Sequence, residues 1–425
     1  MKSKLFAYMK TYKPSEIVFL VSFSFIYFLT PTLKYLLSFI SSRIAGYYNY
    51  LLIGFYALLC LFVLIVSFKK RVFALRNYFC LSLVFYIATI IISTFINQVG
   101  DTVLTPLLLV FMFLVLFQGI KLFTSTKRML LSAVIATTMF CVVFIIRYLP
   151  EIIQNKTISR LGEEFGDLNE VGIYFSVGIV LSLTFVLVYK EKRFLLFSVA
   201  LFFLSLFCGI CTGSKAFIFC SFLLIIAGII MFFGKKRWYL SLIALIILCV
   251  FVVLILTLPI FSSVGARFLE FVFSLFSNDL SLDASSSDRF KMIKDGFILF
   301  LRRPIFGYGN RGYYHFSSTG GGGWSHNNYT EVLVQYGLVG FLFFIFPFIA
   351  SLARLIKNKI SNVPSKITLL FAIFFLIYFL SVSFDTLKIY PLAGSVFFAV
   401  SLEINALKGG KNEKSNCINY FEIRI

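Results

Sequence analysis

Apolar residues run in blocks of roughly 17 to 25 along almost the whole chain, each long enough to cross a ~30 Å hydrocarbon core as a helix. Twelve spans follow, at about 17–33, 48–68, 77–96, 103–120, 129–146, 171–189, 194–210, 216–233, 238–260, 332–353, 367–384 and 390–407. The predicted fold class is an all-α polytopic membrane protein of about 12 transmembrane helices, a single integral membrane domain over residues 1–425. Between the ninth and tenth spans lies a long outer-face loop, 262–331, with patterns for amphipathic helices of its own.

Composition removes the alternatives. Hydrophobic residues make up 60% of the chain and charged residues 13%, with a mean hydropathy of +0.95, whereas a soluble domain carries about 25% charged residues. A water-soluble globular protein is excluded. The net charge of +21 would suggest nucleic acid in a soluble domain, but its distribution gives it another meaning. With a cytoplasmic N-terminus, the inner segments hold 25 basic residues against 5 acidic ones, and the outer segments 14 against 13. The alternation follows the positive-inside rule throughout, so the charge is explained by insertion and anionic lipid, and no nucleic-acid partner is called for. Both termini are expected in the cytoplasm, and the first span, with no small-residue cleavage pattern behind it, is expected to be an anchor.

Ionisable groups are nearly absent from the middle of the spans, where ion-coupled carriers commonly place them. Polar chemistry gathers instead in two outer segments, 147–170 and 262–331, and the second contains both histidines of the protein, His315 and His326. Within it, Ser285, Ser286, Ser287 and Asp288 are N-cap candidates for a helix whose apolar face is Phe290, Ile293, Phe297 and Leu301, ended by Arg302-Arg303-Pro304. This predicts a helix lying on the outer membrane surface with Arg289 near its positively polarised N-terminus, a favourable place for an anion. Gly307-Tyr308-Gly309-Asn310-Arg311-Gly312 has the spacing of a dinucleotide loop but follows a helix and a proline instead of a strand. Cys208-Gly209-Ile210-Cys211 ends an apolar helix without a partner pair, and Gly320–Gly323 lacks the lysine of a phosphate loop and reads as a hinge.

Read in order, the outer segments resemble the O-antigen ligase and polymerase superfamily of bacterial membrane glycosyltransferases. Arg160-Leu-Gly-Glu-Glu-Phe-Gly-Asp-Leu-Asn169 is similar to the family's arginine, turn and span-opening asparagine, and Thr212-Gly-Ser-Lys215 to its Thr-x-Ser-Arg. Arg289 with Ile293, then Pro304-Ile-Phe-Gly307-Tyr-Gly309, resembles its Arg-x-x-x-Trp helix and glycine turn. Ser325-His326-Asn327-Asn328-Tyr329, leading to Gly337-Leu-Val-Gly340, resembles its His-Asn motif. Lys215 departs from the usual arginine, keeping the charge but losing the paired donors, and Ile293 replaces the tryptophan.

The resemblance implies transfer of a glycan from undecaprenyl diphosphate to a hydroxyl of another glycan, on the outer face of the bacterial cytoplasmic (inner) membrane. Because the donor is already activated, no cofactor and no metal is called for. Arg160, Lys215 and Arg289 are the implied diphosphate-binding set, with Arg289 and His326 catalytic and Asn169 and Asn327 supporting. Plainer roles stand beside these: a lipid-headgroup contact for Arg160, snorkelling for Lys215, and a cap of the tenth span for His326. Expected partners are the lipid-linked donor and acceptor, membrane lipids, and a chain-length regulator and flippase of the same pathway. Polymerase is the first reading, ligase the second, and a flippase of lipid-linked sugars the rival from another class.

Overall fold

The computed structural model describes residues 13–27, 48–72, 78–97, 115–154, 160–165, 167–189, 192–233, 257–276, 284–318, 323–357 and 363–381, with isolated positions besides. Among these residues regular structure is helical throughout. The helices are α1 (Pro14–Tyr27), α2 (Tyr48–Lys70), α3 (Tyr78–Asn97), α4 (Thr126–Gln154), α5 (Leu168–Val188), α6 (Lys192–Cys211), α7 (Lys215–Phe233), α8 (Ser262–Phe276), α9 (Ala284–Arg302), α10 (Gly312–Phe316), α11 (Asn328–Lys357) and α12 (Val363–Ser381). Six of the described helices are long and apolar enough to cross a membrane: α3, α4, α5, α6, α7 and α11. Most of the predicted span 103–120, about half of 238–260, the whole of 390–407 and both termini lie outside the described residues.

A helix that is apolar all round belongs in the centre of a bundle, and α5 takes that place. Its sequence is hydrophobic on every side from Val171 to Phe185, and α4, α6, α7 and α12 pack around it. A second large helix contact is that of α3 against α11. These two run antiparallel and are joined along their length by polar side chains: Tyr78 Oη to Ser351 Oγ (2.8 Å), Ser82 Oγ to the Phe343 carbonyl (2.6 Å) and Ser93 Oγ to the Gln335 carbonyl (2.8 Å). Small hydroxyls that bond across helices are a common means of holding apolar helices together where lipid offers no hydrophobic drive.

Contacts between helix ends join residues that the charge pattern assigns to the same side. Glu16 of α1 pairs with Arg128 of α4, and Lys366 Nζ reaches the Met231 carbonyl (3.1 Å) at one end of the bundle. At the other end Arg147 pairs with Glu164 and, at 2.9 Å, with Glu151. α4 is longer than the predicted fifth span because it carries Lys127, Arg128 and Arg147 at the margins of its apolar stretch, where charged ends find partners.

The loop 262–331 contains α8, α9 and α10. α9 ends at Arg302 as its sequence predicts but starts at Ala284. Ser285–Asp288 are therefore inside the helix and do not cap it, and Arg289 sits in its second turn. Its predicted apolar face is turned outward, with Phe290, Phe297 and Leu301 exposed beside Lys291, Lys294 and Arg302. The opposite face, with Gly296 and Leu299, packs on α10 and α11 around the fully buried Tyr313.

Candidate functional site

Three chain segments far apart in sequence meet at the end of the bundle that holds Arg147 and Glu164. The first is the entry to α5. Asp167 caps this helix, its carboxylate accepting the N–H groups of Asn169 (2.9 Å) and Glu170 (3.3 Å). The second is the turn between α6 and α7, where Ser214 caps α7 through the Phe217 N–H (3.3 Å) and donates its hydroxyl to the Asn169 side-chain oxygen (3.2 Å). Lys215 is the first residue of α7. The Leu161 N–H donates to the Cys211 carbonyl (3.0 Å), which lays the exposed Arg160 beside the same turn. Three of the residues singled out from the sequence, Arg160, Asn169 and Lys215, are thus gathered by backbone and cap hydrogen bonds.

The third segment carries His326. This residue has a φ of 53°, a left-handed conformation that a non-glycine residue adopts only when its surroundings impose it. They do so on both sides. Asn327 caps α11, its side-chain oxygen accepting the Thr330 N–H (3.0 Å). Ser325, fully buried, donates its N–H (3.1 Å) and hydroxyl (2.6 Å) to Glu331 in the first turn of α11. The helix cap is therefore Asn327, and His326 is left with its half-buried ring facing the charges of the site. Burial and the Arg289 guanidinium lower its pKa below the ordinary 6.5, and the Asp167 carboxylate opposes them. Arg289 from α9 and Asp167 from the entry to α5 thus both act on the ring, and the neutral imidazole is favoured at neutral pH.

The glycine-rich turn has a structural task. α11 breaks at Gly337, whose φ of 64° and ψ of −165° interrupt the helix and free the carbonyls of Val334 and Gln335 and the N–H groups of Leu338 and Val339. The turn after α9 takes up all four. Tyr308 and Gly309 donate to Val334 and Gln335 (2.8 Å each), while Leu338 and Val339 donate to Pro304 (2.7 Å) and Ile305 (3.2 Å). A Cβ at Gly307 would run into the Val334 and Gln335 carbonyls, and one at Gly337 into Ile305, so both positions require glycine. Ser93 of α3 bonds to the Phe306 and Gln335 carbonyls, and Asn97 to the Gly307 carbonyl (3.1 Å), completing the seal.

Sequence reasoning missed Asp167, Glu331 and Ser93. Asp167 had a signal, since Asp-x-x-Glu before an apolar run has the outline of a helix start. Glu331 and Ser93 had none, because their partners come from turns whose shape the sequence does not announce. Ser317 and Ser318 both bond to Asp295 of α9, the Ser317 hydroxyl at 2.7 Å and the Ser318 hydroxyl at 2.9 Å. His315 is exposed, with its ring edge-on to Tyr314. Of the proposed glycine hinge, residues 320–322 lie outside the described residues.

The geometry brings the cations Arg160, Lys215 and Arg289 and a half-buried histidine to one end of a bundle of apolar helices. No curated protein matches the chain. Residues 199–345, from within α6 to the middle of α11 and including Lys215, Arg289 and His326, match the family model described as O-antigen ligase. Over that stretch the chain is similar to the O-antigen ligase family, and six of its described helices are long and apolar enough to cross a membrane.

Proposed function

We propose that the protein is a polysaccharide repeat-unit polymerase of the bacterial cytoplasmic membrane, working on the outer face. Its donor is a glycan on undecaprenyl diphosphate, and its acceptor is a hydroxyl of a second lipid-linked glycan. The observation that carries this reading is the pairing of His326, whose neutral form is favoured, with the Arg289 cation acting on it. A base and an anion-stabilising group are the two things a substitution at an activated anomeric carbon needs.

In the proposed step the acceptor oxygen forms a bond to the anomeric carbon while the bond from that carbon to the diphosphate oxygen breaks. The electron pair leaves with the lipid diphosphate, which Arg289, Arg160 and Lys215 hold as an anion. The acceptor's proton goes to a ring nitrogen of His326. Arginine suits the first role because its planar donors match two phosphate oxygens at once. Asn169 orients the α6–α7 turn through Ser214, and Asn327 fixes the turn of His326. A chain-length regulator and a flippase would act in the same pathway.

The family description favours a second reading, a ligase that moves finished polymer to a lipid or other acceptor. The donor chemistry is shared and the acceptor differs. The glycolipids of a deletion strain separate the two. Loss of a polymerase leaves one repeat per carrier, and loss of a ligase leaves long polymer on the carrier. Repeats trapped on the cytoplasmic leaflet would reject both in favour of a flippase. The sidedness has its own test in a cysteine-free background: a cysteine at Lys291 is expected to react with an impermeant reagent in intact cells and one at Lys70 is not. The reverse pattern overturns the outer placement of the site.

A further inference from the structure

The turn that carries His326 is held by side chains of its own helix, and the central one has no part in the step above. Glu331 is 4% exposed. One of its carboxylate oxygens accepts both the N–H (3.1 Å) and the hydroxyl (2.6 Å) of Ser325, and the other accepts Gln335 Nε2 (2.8 Å). The Ser325 hydroxyl also lies 2.9 Å from the Asn327 carbonyl, the same carbonyl that starts the hydrogen-bond ladder of α11 with the Glu331 N–H (3.0 Å). Glu331 therefore grips the residue before His326, and Asn327, the residue after it, is fixed to the same helix turn. Between these two anchors His326 keeps its left-handed backbone. A buried carboxylate is costly unless its hydrogen bonds are met, and here the bonds of the side chain go to the turn and to the next turn of α11. A first-turn acid is also favoured by the helix dipole.

We propose that Glu331 is a positioning residue: with Ser325 and Gln335 it forms a clasp that sets the backbone of His326 and thereby holds the imidazole in the half-buried place between α9 and the entry to α5. The inference builds on the assignment of His326 as the proton acceptor, but the clasp itself can be read without substrate. The charged groups acting on the ring are Arg289 on α9 and Asp167 at the start of α5, and the ring's own helix carries the Glu331 carboxyl in its first turn. Removing the Glu331 charge alone would disfavour the imidazolium and push the ring's midpoint further down. Releasing the clasp would let the ring into water, away from Arg289, and move the midpoint up. The two effects have opposite signs, which separates positioning from simple electrostatics.

The chain has only two histidines, so a His315→Ala background leaves His326 as the single ring in a ¹⁵N-histidine spectrum of the detergent-solubilised full chain. Glu331→Ala is expected to move the His326 midpoint upward, toward ~6.5. In vesicles charged with lipid-linked donor it should lower kcat roughly 100-fold with donor KM changed less than about threefold. Glu331→Gln still accepts from Ser325 through its carbonyl and should restore kcat, with a midpoint at or below that of the wild type. A midpoint that stays put or falls in Glu331→Ala, or a Gln variant no better than Ala, overturns the proposal. Should Glu331→Ala not fold, Ser325→Ala keeps the acid bonded to the Ser325 N–H and Gln335 and should give a smaller upward shift; no shift overturns it as well. If the wild-type chain shows the predicted titration response but transfers no glycan, the transferase reading fails while the clasp stands.

Discussion

Two turns dock on the N-terminal half of α11, and they are held by opposite means. The turn at Pro304–Gly309 is held by backbone, with four main-chain hydrogen bonds exchanged across the break at Gly337. The turn at Ser325–Asn327 is held by side chains, those of Glu331, Asn327 and Ser325. A backbone seal depends on the absence of side chains, so it tolerates no substitution at its glycines and offers no titratable group. A side-chain clasp can be loosened one bond at a time, and it leaves the intervening residue free to carry chemistry. The first turn gives rigidity where α9 returns to the bundle. The second sets the histidine ring at the site.

The sharpest way to break this contrast is Gly337→Ala. The added methyl meets the Ile305 carbonyl in a backbone conformation that disfavours it, and the expected cost is at least about 3 kcal/mol. The measurable result is loss of folded protein on thermal scans in detergent. A variant that folds normally would show that the seal is dispensable. In the other turn, His326→Ala should fold and lose roughly 10²- to 10⁴-fold in rate while still binding donor. His326→Gln keeps hydrogen bonding without basicity, so near-normal turnover would reject the base assignment. Arg289→Lys keeps the charge and loses the paired donors; a fall of about 100-fold is expected, against little change for Arg302→Lys at the exposed end of α9. Equal behaviour of the two lysine variants would deny Arg289 a special role.

The smallest effects concern pH. Since burial and Arg289 lower the pKa of His326 from 6.5, activity should be full at neutral pH and fall only as the pH drops through a midpoint below that value. Arg289→Ala removes one of the depressing influences and should raise the midpoint of the ring in the ¹⁵N-histidine titration. Asp167→Asn keeps the cap of α5 but removes the opposing charge, and should lower it by a few tenths of a unit. A midpoint indifferent to both would mean that neither group faces the ring.

Long apolar helices, the end of α9 at Arg302, and the meeting of Arg160, Asn169 and Lys215 at one end of the bundle were legible in the sequence. Long apolar runs and alternating loop charge are local signals. What was not legible depends on pairing between distant turns. The glycines at 307–312 read as a failed nucleotide motif because their partner, the break at Gly337, is itself unmarked in an apolar helix. Glu331 was given no role, because only the folded turn shows that its bonds run back to Ser325. The early start of α9 was hidden by serines that can serve either as caps or as first-turn residues.

The seal at Gly337 also sets a limit on transplantation. Ser93 and Asn97, which close it from α3, and Asp167 and Asn169, which face the pocket from α5, all fall outside the matched stretch 199–345. A chimaera that moves only that stretch into a relative would carry the reacting groups and leave behind the hydroxyl and the amide that hold their framework. Successful exchange of acceptor preference between family members should therefore require α3 and the entry to α5 to travel with it.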